Sequence, residues 1–216
     1  KNMSRKIWNS IGLMSGTSMD GIDAALIKTD GYQVLEEGPY LTLPYKTALR
    51  KLLKNLIAGK GDLYKVENQL TLEHAKAVSA LIENFNVAVS EVDLIGFHGH
   101  TISHNPDKQH TLQIGNGRLL AATTGVDVVN DLRSSDVKAG GQGAPLAPIY
   151  HKALMKSQDL PAIVLNIGGV ANITWVDTLD KNLVGFDTGP GNALIDDWIK
   201  KKTGRNYDNN GFLASR

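Results

Sequence analysis

The sequence contains no cysteine, which excludes disulfide bonds and any chemistry that depends on a thiolate. Aromatic residues make up only 6%, and the formal net charge is +1 with no long basic run, so we expect no nucleic-acid partner. No apolar run is long enough to cross a bilayer and no signal peptide opens the chain, which argues against a membrane partner. These absences predict a soluble, cytoplasmic protein.

Three widespread site motifs are also missing from the chain. There is no G-x-x-x-x-G-K-[ST] and no G-x-G-x-x-G after a predicted strand, which disfavours P-loop and Rossmann nucleotide sites. No serine lies in a G-x-S-x-G pattern, so an α/β-hydrolase would lack its nucleophile. A nucleotide or substrate site must therefore be built in another way.

A glycine-rich stretch near the N-terminus is the first positive signal. The apolar runs Ile11–Met14 and Ala24–Ile27 flank a polar tip, which predicts two strands and a turn. The tip contains Gly16, Thr17, Ser18, Asp20, Gly21 and Asp23. Glycines let backbone amides approach an anion, while carboxylates tolerate phosphate only with a cation between them, so the tip suits a nucleotide phosphate with Mg²⁺. An ordinary hairpin rich in turn residues explains this segment about equally well.

The rest of the pattern predicts an α/β protein whose second part repeats the first. Further strands are predicted over 33–43, 92–97 and 126–130, and helices over 49–57, 63–85, 117–124 and 149–156. After residue 161, strands over 162–167, 173–176 and 183–186 surround a turn over 168–172, and a helix follows over 193–202. We interpret this as βββαβαβα followed by βββα, with domains 1–160 and 161–216. The early end of the second copy indicates either a degenerate second domain or a fragment of a longer protein, and we favour the fragment.

Two segments between these elements carry polar residues. Asp131–Pro148 is predicted to lack regular structure. A structureless segment this long is either functional or evidence against that assignment, and its clustered glycines and mixed charges favour a functional loop. His98, His100 and His104 could suggest a metal site, but they lie on a predicted strand-to-loop segment without cysteine or helical spacing. Satisfied or substrate-bonding histidines are therefore the favoured interpretation.

A third segment, Phe186–Asn192, joins a predicted strand to a predicted helix. Positions beyond the carboxyl ends of strands bind ligands in open α/β sheets, and a helix beginning near Asn192 would offer unpaired N–H groups. Asp187 could then orient or deprotonate a nucleophile. The competing interpretation is that Asp187 is a turn or helix-capping residue.

Six motifs, taken together and in order, resemble the anhydro-N-acetylmuramic acid kinase family. They are GLMSGTSMDGID over 12–23, HGHTI over 98–102, QIGN over 113–116, AGGQGAP over 139–145, LNIGG over 165–169 and GFDTGPGN over 185–192. The resemblance implies an actin-like (ribonuclease H-like) ATPase fold, in which two domains repeat a βββαβαβα unit and close over ATP. It also implies that members continue beyond Arg216, where the adenine pocket and further substrate contacts would lie.

The resemblance further implies a reaction and its residues. ATP would phosphorylate O6 of 1,6-anhydro-N-acetylmuramic acid while water opens the anhydro ring at C1, giving N-acetylmuramic acid 6-phosphate in cell-wall (peptidoglycan) recycling. Asp187 would be the catalytic base and Mg²⁺ would bridge the phosphates, with Asp20 a weak metal candidate. Phosphate binding is expected from Gly16, Thr17, Ser18, Met19, Asp20, Gly21, Ile22, Asp23, Gly168 and Gly169. Substrate binding is expected from His98, Arg133, Gly189 and Asn192, with Arg133 facing the muramic carboxylate.

Some points stay open at this stage. His100 stands where the family resemblance leads us to expect glutamine, so its role is undefined. The oligomeric state is also open, with a homodimer among the options. Another actin-like sugar or acid kinase, or a non-catalytic actin-like nucleotide sensor, would fit the same motifs; substrate panels and sugar-dependent ADP release would separate these alternatives.

Overall fold

The computed structural model describes residues 5–16, 19, 21–179 and 182–216, which form an α/β protein. They divide into two compact units, Lys1–Ala144 and Pro145–Arg216. None of the helices in these described ranges is long and apolar enough to cross a membrane.

The first unit is built on a five-stranded mixed sheet and a separate two-stranded hairpin. Its strands are β1 (Trp8–Met14), β2 (Gly21–Thr29), β3 (Val34–Pro44), β4 (Leu94–Phe97), β5 (His100–Asn105), β6 (His110–Ile114) and β7 (Val128–Asn130). The large sheet has the order β3-β2-β1-β4-β7. Strands β1, β2 and β3 are antiparallel neighbours, whereas β1, β4 and β7 run parallel to one another. Strands β5 and β6 pair with each other.

Four helices accompany these strands, namely α1 (Thr47–Ile57), α2 (Leu63–Asn84), α3 (Gly117–Thr124) and α4 (Ser134–Lys138). The apolar stripes of α1 and α2 belong to the same buried core as the sheet, in which Leu53, Leu70 and Leu81 are fully covered together with Ile11 and Ile95. Burial of each such side chain is worth about 1.5–3 kcal/mol, so this core holds the sheet and helices together.

The capping signals in the sequence mark helix ends correctly. The Asn116 side chain accepts a hydrogen bond from the Leu119 N–H, and Gly125 takes the left-handed conformation that ends α3. The predicted helix over 117–124 is thereby confirmed. The Asp62 side chain caps α2 in the same way, through the Lys65 N–H.

The hairpin β5–β6 was not predicted, and the strand-to-loop interpretation of the histidine segment was wrong. Its strands mix histidine, threonine, serine and glutamine, so they lack the apolar alternation that marks a half-buried strand. The connection is a short 3₁₀ turn at Pro106–Lys108, capped by Asn105 and closed by Gln109 in the left-handed region. Turn chemistry rather than hydrophobic patterning therefore defines this hairpin.

The second unit contains α5 (Ala147–Met155), β8 (Ala162–Ile167), β9 (Val170–Val176), β10 (Val184–Pro190) and α6 (Ala193–Thr203). Its three strands form an antiparallel sheet in the order β10-β9-β8. Helix α5 packs on β9, where His151 Nδ1 lies 2.8 Å from Thr174 Oγ1. This compact unit begins at Pro145, before α5, whereas the predicted second domain begins at residue 161, after α5. The division into domains 1–160 and 161–216 stays a prediction.

Two predicted boundaries in this unit were wrong. Strand β9 begins at Val170, so the turn after β8 is shorter than the predicted 168–172. Strand β10 continues to Pro190, so Asp187 and Gly189 lie within a strand instead of a connecting loop. Pairing between neighbouring strands extended both elements beyond the apolar run that had predicted them.

Candidate active site

Three polar segments of the first unit lie at one edge of the large sheet. Because β1, β4 and β7 are parallel, the residues that follow them share the carboxyl edge, where open α/β sheets bind ligands. Ser15 follows β1, His98 follows β4, and Arg133 lies shortly after β7. The His98 N–H also donates to the Leu13 carbonyl, 3.4 Å away, which holds the first two segments together.

The predicted phosphate-binding residues Gly16–Asp23, which we call the phosphate turn, cover most of the connection between β1 and β2 and the first three residues of β2. The Met19 N–H donates to the Gly16 carbonyl at 3.0 Å, and Met19 takes a left-handed conformation with φ of 56°. The side chains of Met19 and Ile22 are buried in the core, so these residues can face a ligand only through their backbone. Thr17, Ser18 and Asp20 lie outside the described residues.

Two residues at the start of β2 have structural partners. A Cβ on Gly21 would lie 2.8 Å from the Leu43 carbonyl oxygen, so the close approach of β3 requires glycine there. Asp23 is exposed, and its Oδ1 accepts a hydrogen bond from Thr42 Oγ1 at 2.6 Å. Asp23 therefore has one carboxylate oxygen engaged by β3.

A buried chain of three polar side chains adjoins the phosphate turn. Ser15 Oγ lies 2.6 Å from Tyr45 Oη and 2.9 Å from His100 Nδ1. Burial raises the pKa of Tyr45 to about 12. Burial, and secondarily the neighbouring His98, lowers the pKa of His100, so both end groups are neutral at neutral pH. Sequence reasoning missed this chain, because Ser15 and Tyr45 have no distinctive spacing.

His98 and Arg133, both predicted to bind substrate, are brought together. Arg133 Nε donates to His98 Nε2 at 2.9 Å, while His98 Nδ1 donates to the Gly99 carbonyl at the same distance. Burial first, and then the charge of Arg133, lowers the pKa of His98, which keeps this ring a neutral acceptor. Arg133 has no carboxylate partner within 4 Å among the described residues, so its charge is available to an anionic ligand.

The segment from 131 to 148 is ordered around α4, so the prediction that it lacks regular structure was wrong. Asp136 Oδ2 accepts from the Gly143 N–H at 2.6 Å, and the Gly143 carbonyl accepts from Arg133 Nη1. A Cβ on Gly141 would overlap the Asp136 carboxylate, and Gly143 has a φ of 64°. The glycines thus let the chain fold back over α4 and hold Arg133.

In the second unit, Asp187 belongs to a polar row across the sheet. Asp187 pairs with Asn172 on β9, and Asn172 pairs with Asn166 on β8, so the three side chains share one face. Asp187 is exposed, and the β10 register shifts immediately after it. Asn192 occupies the N-cap position of α6 and Asp187 lies within β10, so Asp187 is neither a cap nor a turn residue. Asn166 and Asn172 were not predicted; their motif spacing alone does not show that they face Asp187.

Gly168 and Gly169 connect β8 to β9, and their carbonyls accept hydrogen bonds from the residues just before α6. The Gly191 N–H donates to the Gly169 carbonyl at 2.9 Å, and the Asn192 N–H donates to the Gly168 carbonyl at 2.8 Å. The expectation of unpaired N–H groups was therefore wrong for these two residues. The Asn192 side chain makes no capping bond, and Gly189 has a φ of 147° beside the register shift.

No group of three or more histidine, aspartate or glutamate side chains in the described ranges could hold a metal ion. Mg²⁺ commonly reaches kinase sites bound to nucleotide phosphates, with only one or two protein carboxylates. The exposed Asp23 carboxylate, with one oxygen engaged by Thr42, fits such a supporting role better than a permanent metal cage.

Comparison with known proteins decides the family. The model of the anhydro-N-acetylmuramic acid kinase family matches residues 8–216. The chain belongs to the anhydro-N-acetylmuramic acid kinase family. It is 50% identical over 206 residues to the anhydro-N-acetylmuramic acid kinase of Paramagnetospirillum magneticum, covering 95% of this chain and 58% of the relative. The corresponding enzyme of Rhizobium etli is 48% identical over 220 residues, covering 96% and 59%.

The chain therefore spans somewhat less than three-fifths of the length of these two kinase-family relatives. Among solved structures, a reductive activator for a corrinoid, iron-sulfur protein matches with a TM-score of 0.41 at 11% identity, covering 88% of this chain and 32% of that chain. YeaZ from Pseudomonas aeruginosa matches with a TM-score of 0.31 at 16% identity, covering 85% of this chain and 68% of that chain.

Proposed function

We propose that the protein is an ATP-dependent kinase that converts 1,6-anhydro-N-acetylmuramic acid to N-acetylmuramic acid 6-phosphate in cytoplasmic cell-wall recycling. The observation that carries this proposal is the family match over residues 8–216. The names of the relatives describe the same activity, and about half of the aligned residues are identical. We also propose that the fold is actin-like, since the order β3-β2-β1-β4-β7 combines an antiparallel meander with parallel strands.

The first unit is proposed to bind both substrates at the carboxyl edge of its sheet. The phosphate turn would receive the ATP phosphates through its backbone, because the Met19 and Ile22 side chains are buried. Bound Mg²⁺ would neutralise phosphate charge, with Asp20 and Asp23 as the nearest carboxylates in sequence. Arg133, held by His98 and Gly143, would bind the muramic carboxylate in a fixed orientation.

Asp187 is proposed as the general base. Its carboxylate would accept a proton from the water whose oxygen forms a bond to C1. The bond between C1 and O6 breaks in the same process, and O6 then forms its bond to the γ-phosphorus of ATP as ADP leaves. Gly168, Gly169, Gly189 and Asn192 are proposed to shape the backbone around this base and around phosphate.

The decisive experiment is a kinase assay on the full-length protein and its Asp187→Asn variant. ADP release should depend on the anhydro sugar, and Asp187→Asn should lower kcat by about 10²–10⁴ with little change in KM, because the amide keeps the shape without the basicity. Melting curves should coincide, since Asp187 caps no helix.

Other results would replace the proposal. ATP binding without sugar-dependent ADP release would indicate a nucleotide sensor, and turnover of a different sugar or acid would indicate another kinase. A near-normal kcat in Asp187→Asn would exclude Asp187 as the base.

A further inference from the structure

Ser15 is the residue immediately before the phosphate turn, and its side chain is only 2% exposed. Its single hydroxyl is bonded on two sides, to Tyr45 Oη and to His100 Nδ1. Because a hydroxyl has one proton, it donates to one of these partners and accepts from the other. We call Tyr45, Ser15 and His100 the hydroxyl–imidazole chain.

The hydroxyl–imidazole chain joins three elements that are far apart in sequence. Ser15 follows β1, Tyr45 follows β3, and His100 is the first residue of β5. Strands β1 and β3 both flank β2, so the chain bridges the two outer strands of the meander at the end where the phosphate turn emerges. An equivalent apolar cluster would fill this space but would not fix the direction of the Ser15 backbone.

The backbone around Gly99 links the hydroxyl–imidazole chain to the proposed sugar-binding residues. Only Gly99 separates His100 from His98, and Gly99 has a φ of 71°. A Cβ on Gly99 would overlap the carbonyl oxygen of Ile114, so the backbone here is held tightly against β6. His98 in turn accepts the hydrogen bond from Arg133. A displacement of His100 would therefore be passed to the His98–Arg133 pair.

The burial of His100 favours a positional function over a chemical one. The ring is 0% exposed, and its Nε2 has no hydrogen-bond partner among the described residues. A group closed off in this way cannot exchange protons readily with a substrate. It can, however, hold Ser15, because its Nδ1 faces the serine hydroxyl at 2.9 Å.

We propose that the Tyr45–Ser15–His100 chain positions the phosphate turn relative to the His98–Arg133 pair. Ser15, Tyr45 and His100 are then positioning residues, acting through the backbone of Gly16 and through His98. The inference rests on the proposed function, since it concerns the same phosphate turn. It gives His100, which stands where the family resemblance leads us to expect glutamine, a defined task that a glutamine amide could also perform.

The test is the affinity of the full-length protein for ATP with Mg²⁺, measured by isothermal titration calorimetry without sugar. Ser15→Ala should weaken ATP binding about tenfold, the change expected when one or two buried hydrogen bonds are lost. Tyr45→Phe removes a single hydrogen bond and should weaken ATP binding about threefold. This variant replaces Ser15→Ala in the test if Ser15→Ala does not fold. His100→Leu should weaken ATP binding about as much as Ser15→Ala.

His100→Gln is the rescue variant, because its amide can pair with the Ser15 hydroxyl; ATP affinity should stay within twofold of the unmodified protein. Thr29→Val is the matched control. Thr29 also carries a hydroxyl with two hydrogen bonds, but it lies at the other end of β2. Its loss should leave ATP affinity unchanged even if the melting temperature falls.

The outcomes separate this inference from the proposed function. If Ser15→Ala and Tyr45→Phe bind ATP as the unmodified protein does, the inference is overturned whatever the turnover. Equal weakening by His100→Gln and His100→Leu would also overturn it. If the unmodified protein binds ATP but phosphorylates no anhydro sugar, the proposed function fails while these affinities still decide the inference.

Discussion

Burial determines the protonation of His74 in the core of the first unit. The ring is 0% exposed, its Nδ1 donates to the Leu70 carbonyl at 2.9 Å, and it lies against Phe97 with ring centroids 4.9 Å apart. Burial, with smaller contributions from the nearby His100 and His98, lowers its pKa from 6.5 to about 4. The native protein therefore keeps this ring neutral under conditions in which the unfolded chain protonates it.

This property gives the protein an acid-sensitive stability. Between pH 6.5 and about 4 the unfolded chain binds a proton at His74 that the native protein does not, so the free energy of unfolding falls as the pH falls. The stabilisation is complete above pH 6.5, and its loss is at most roughly 3–4 kcal/mol, from about 1.4 kcal/mol for each pKa unit. His74→Gln should flatten the decline in urea-unfolding free energy between pH 7 and pH 5. An unchanged pH dependence in this variant would contradict the assignment.

Gly16 and Gly21 should respond differently to the same substitution. Gly21→Ala places a methyl group against Leu43 and Thr42 of β3, so it should destabilise the protein by about 1–3 kcal/mol. Gly16 lies before β2, in the part of the phosphate turn that connects the two strands, so Gly16→Ala should raise the KM for ATP far more than the KM for the sugar. Melting curves with both KM values check this pair. Equal effects of Gly16→Ala on the two KM values would indicate a purely structural turn.

At the scale of elements, α4 organises the segment that carries Arg133. Asp136 on α4 binds the Gly143 N–H, and Gly143 accepts from Arg133, so the helix fixes the guanidinium through one intermediate residue. The partly buried Arg133 therefore has its orientation set before any ligand binds, which reduces the entropy lost on binding.

Asp136→Ala should loosen this arrangement without touching the phosphate turn. We expect the KM for the sugar to rise about tenfold, since a charge-assisted hydrogen bond is worth about 1.5–3 kcal/mol, with the KM for ATP within twofold. Lys138→Ala, on the same helix, is the control and should change neither value. A parallel rise in both KM values would show that α4 supports the fold generally.

At the scale of the whole molecule, one sheet face of the second unit is apolar and exposed. Cross-strand register places Ile163, Trp175 and Val184 in one row, and Leu165, Ile173 and Phe186 in the next. Leu165 is 57% exposed and Phe186 is 51% exposed. A contiguous apolar surface of this kind favours association with other apolar surfaces.

The 216-residue chain should therefore bind an apolar dye or aggregate when expressed alone. Replacing Leu165 and Phe186 by threonine should reduce dye fluorescence, because both side chains belong to the exposed rows. Tyr64→Ser, which removes a 76% exposed side chain from α2, should leave the fluorescence unchanged. A monomer that binds no dye would contradict this prediction.

Local signals were sufficient to predict most elements of this molecule. The helical stripes, the Asn116 cap and the terminal Gly125 predicted α3, and Gly204 ends α6 as expected. The bounds of β8 over 162–167 were also predicted correctly. These signals lie within a few residues of the structure they specify, which is why a single sequence shows them. Strand ends at β9 and β10, and the hairpin β5–β6, depend on pairing with a neighbour, so local signals missed them.

The sequence by itself also supplied the six motifs, and the family resemblance that they carry supplied the candidate residues Asp187, His98 and Arg133. Only the tertiary structure decided which polar groups meet. Ser15 reaches His100 across 85 positions of the chain, and Arg133 reaches His98 across 35. These side-chain contacts follow from the strand order β3-β2-β1-β4-β7, in which strands that are distant in sequence become neighbours. Side-chain burial and hydrogen bonding then depend on partners that no local pattern identifies.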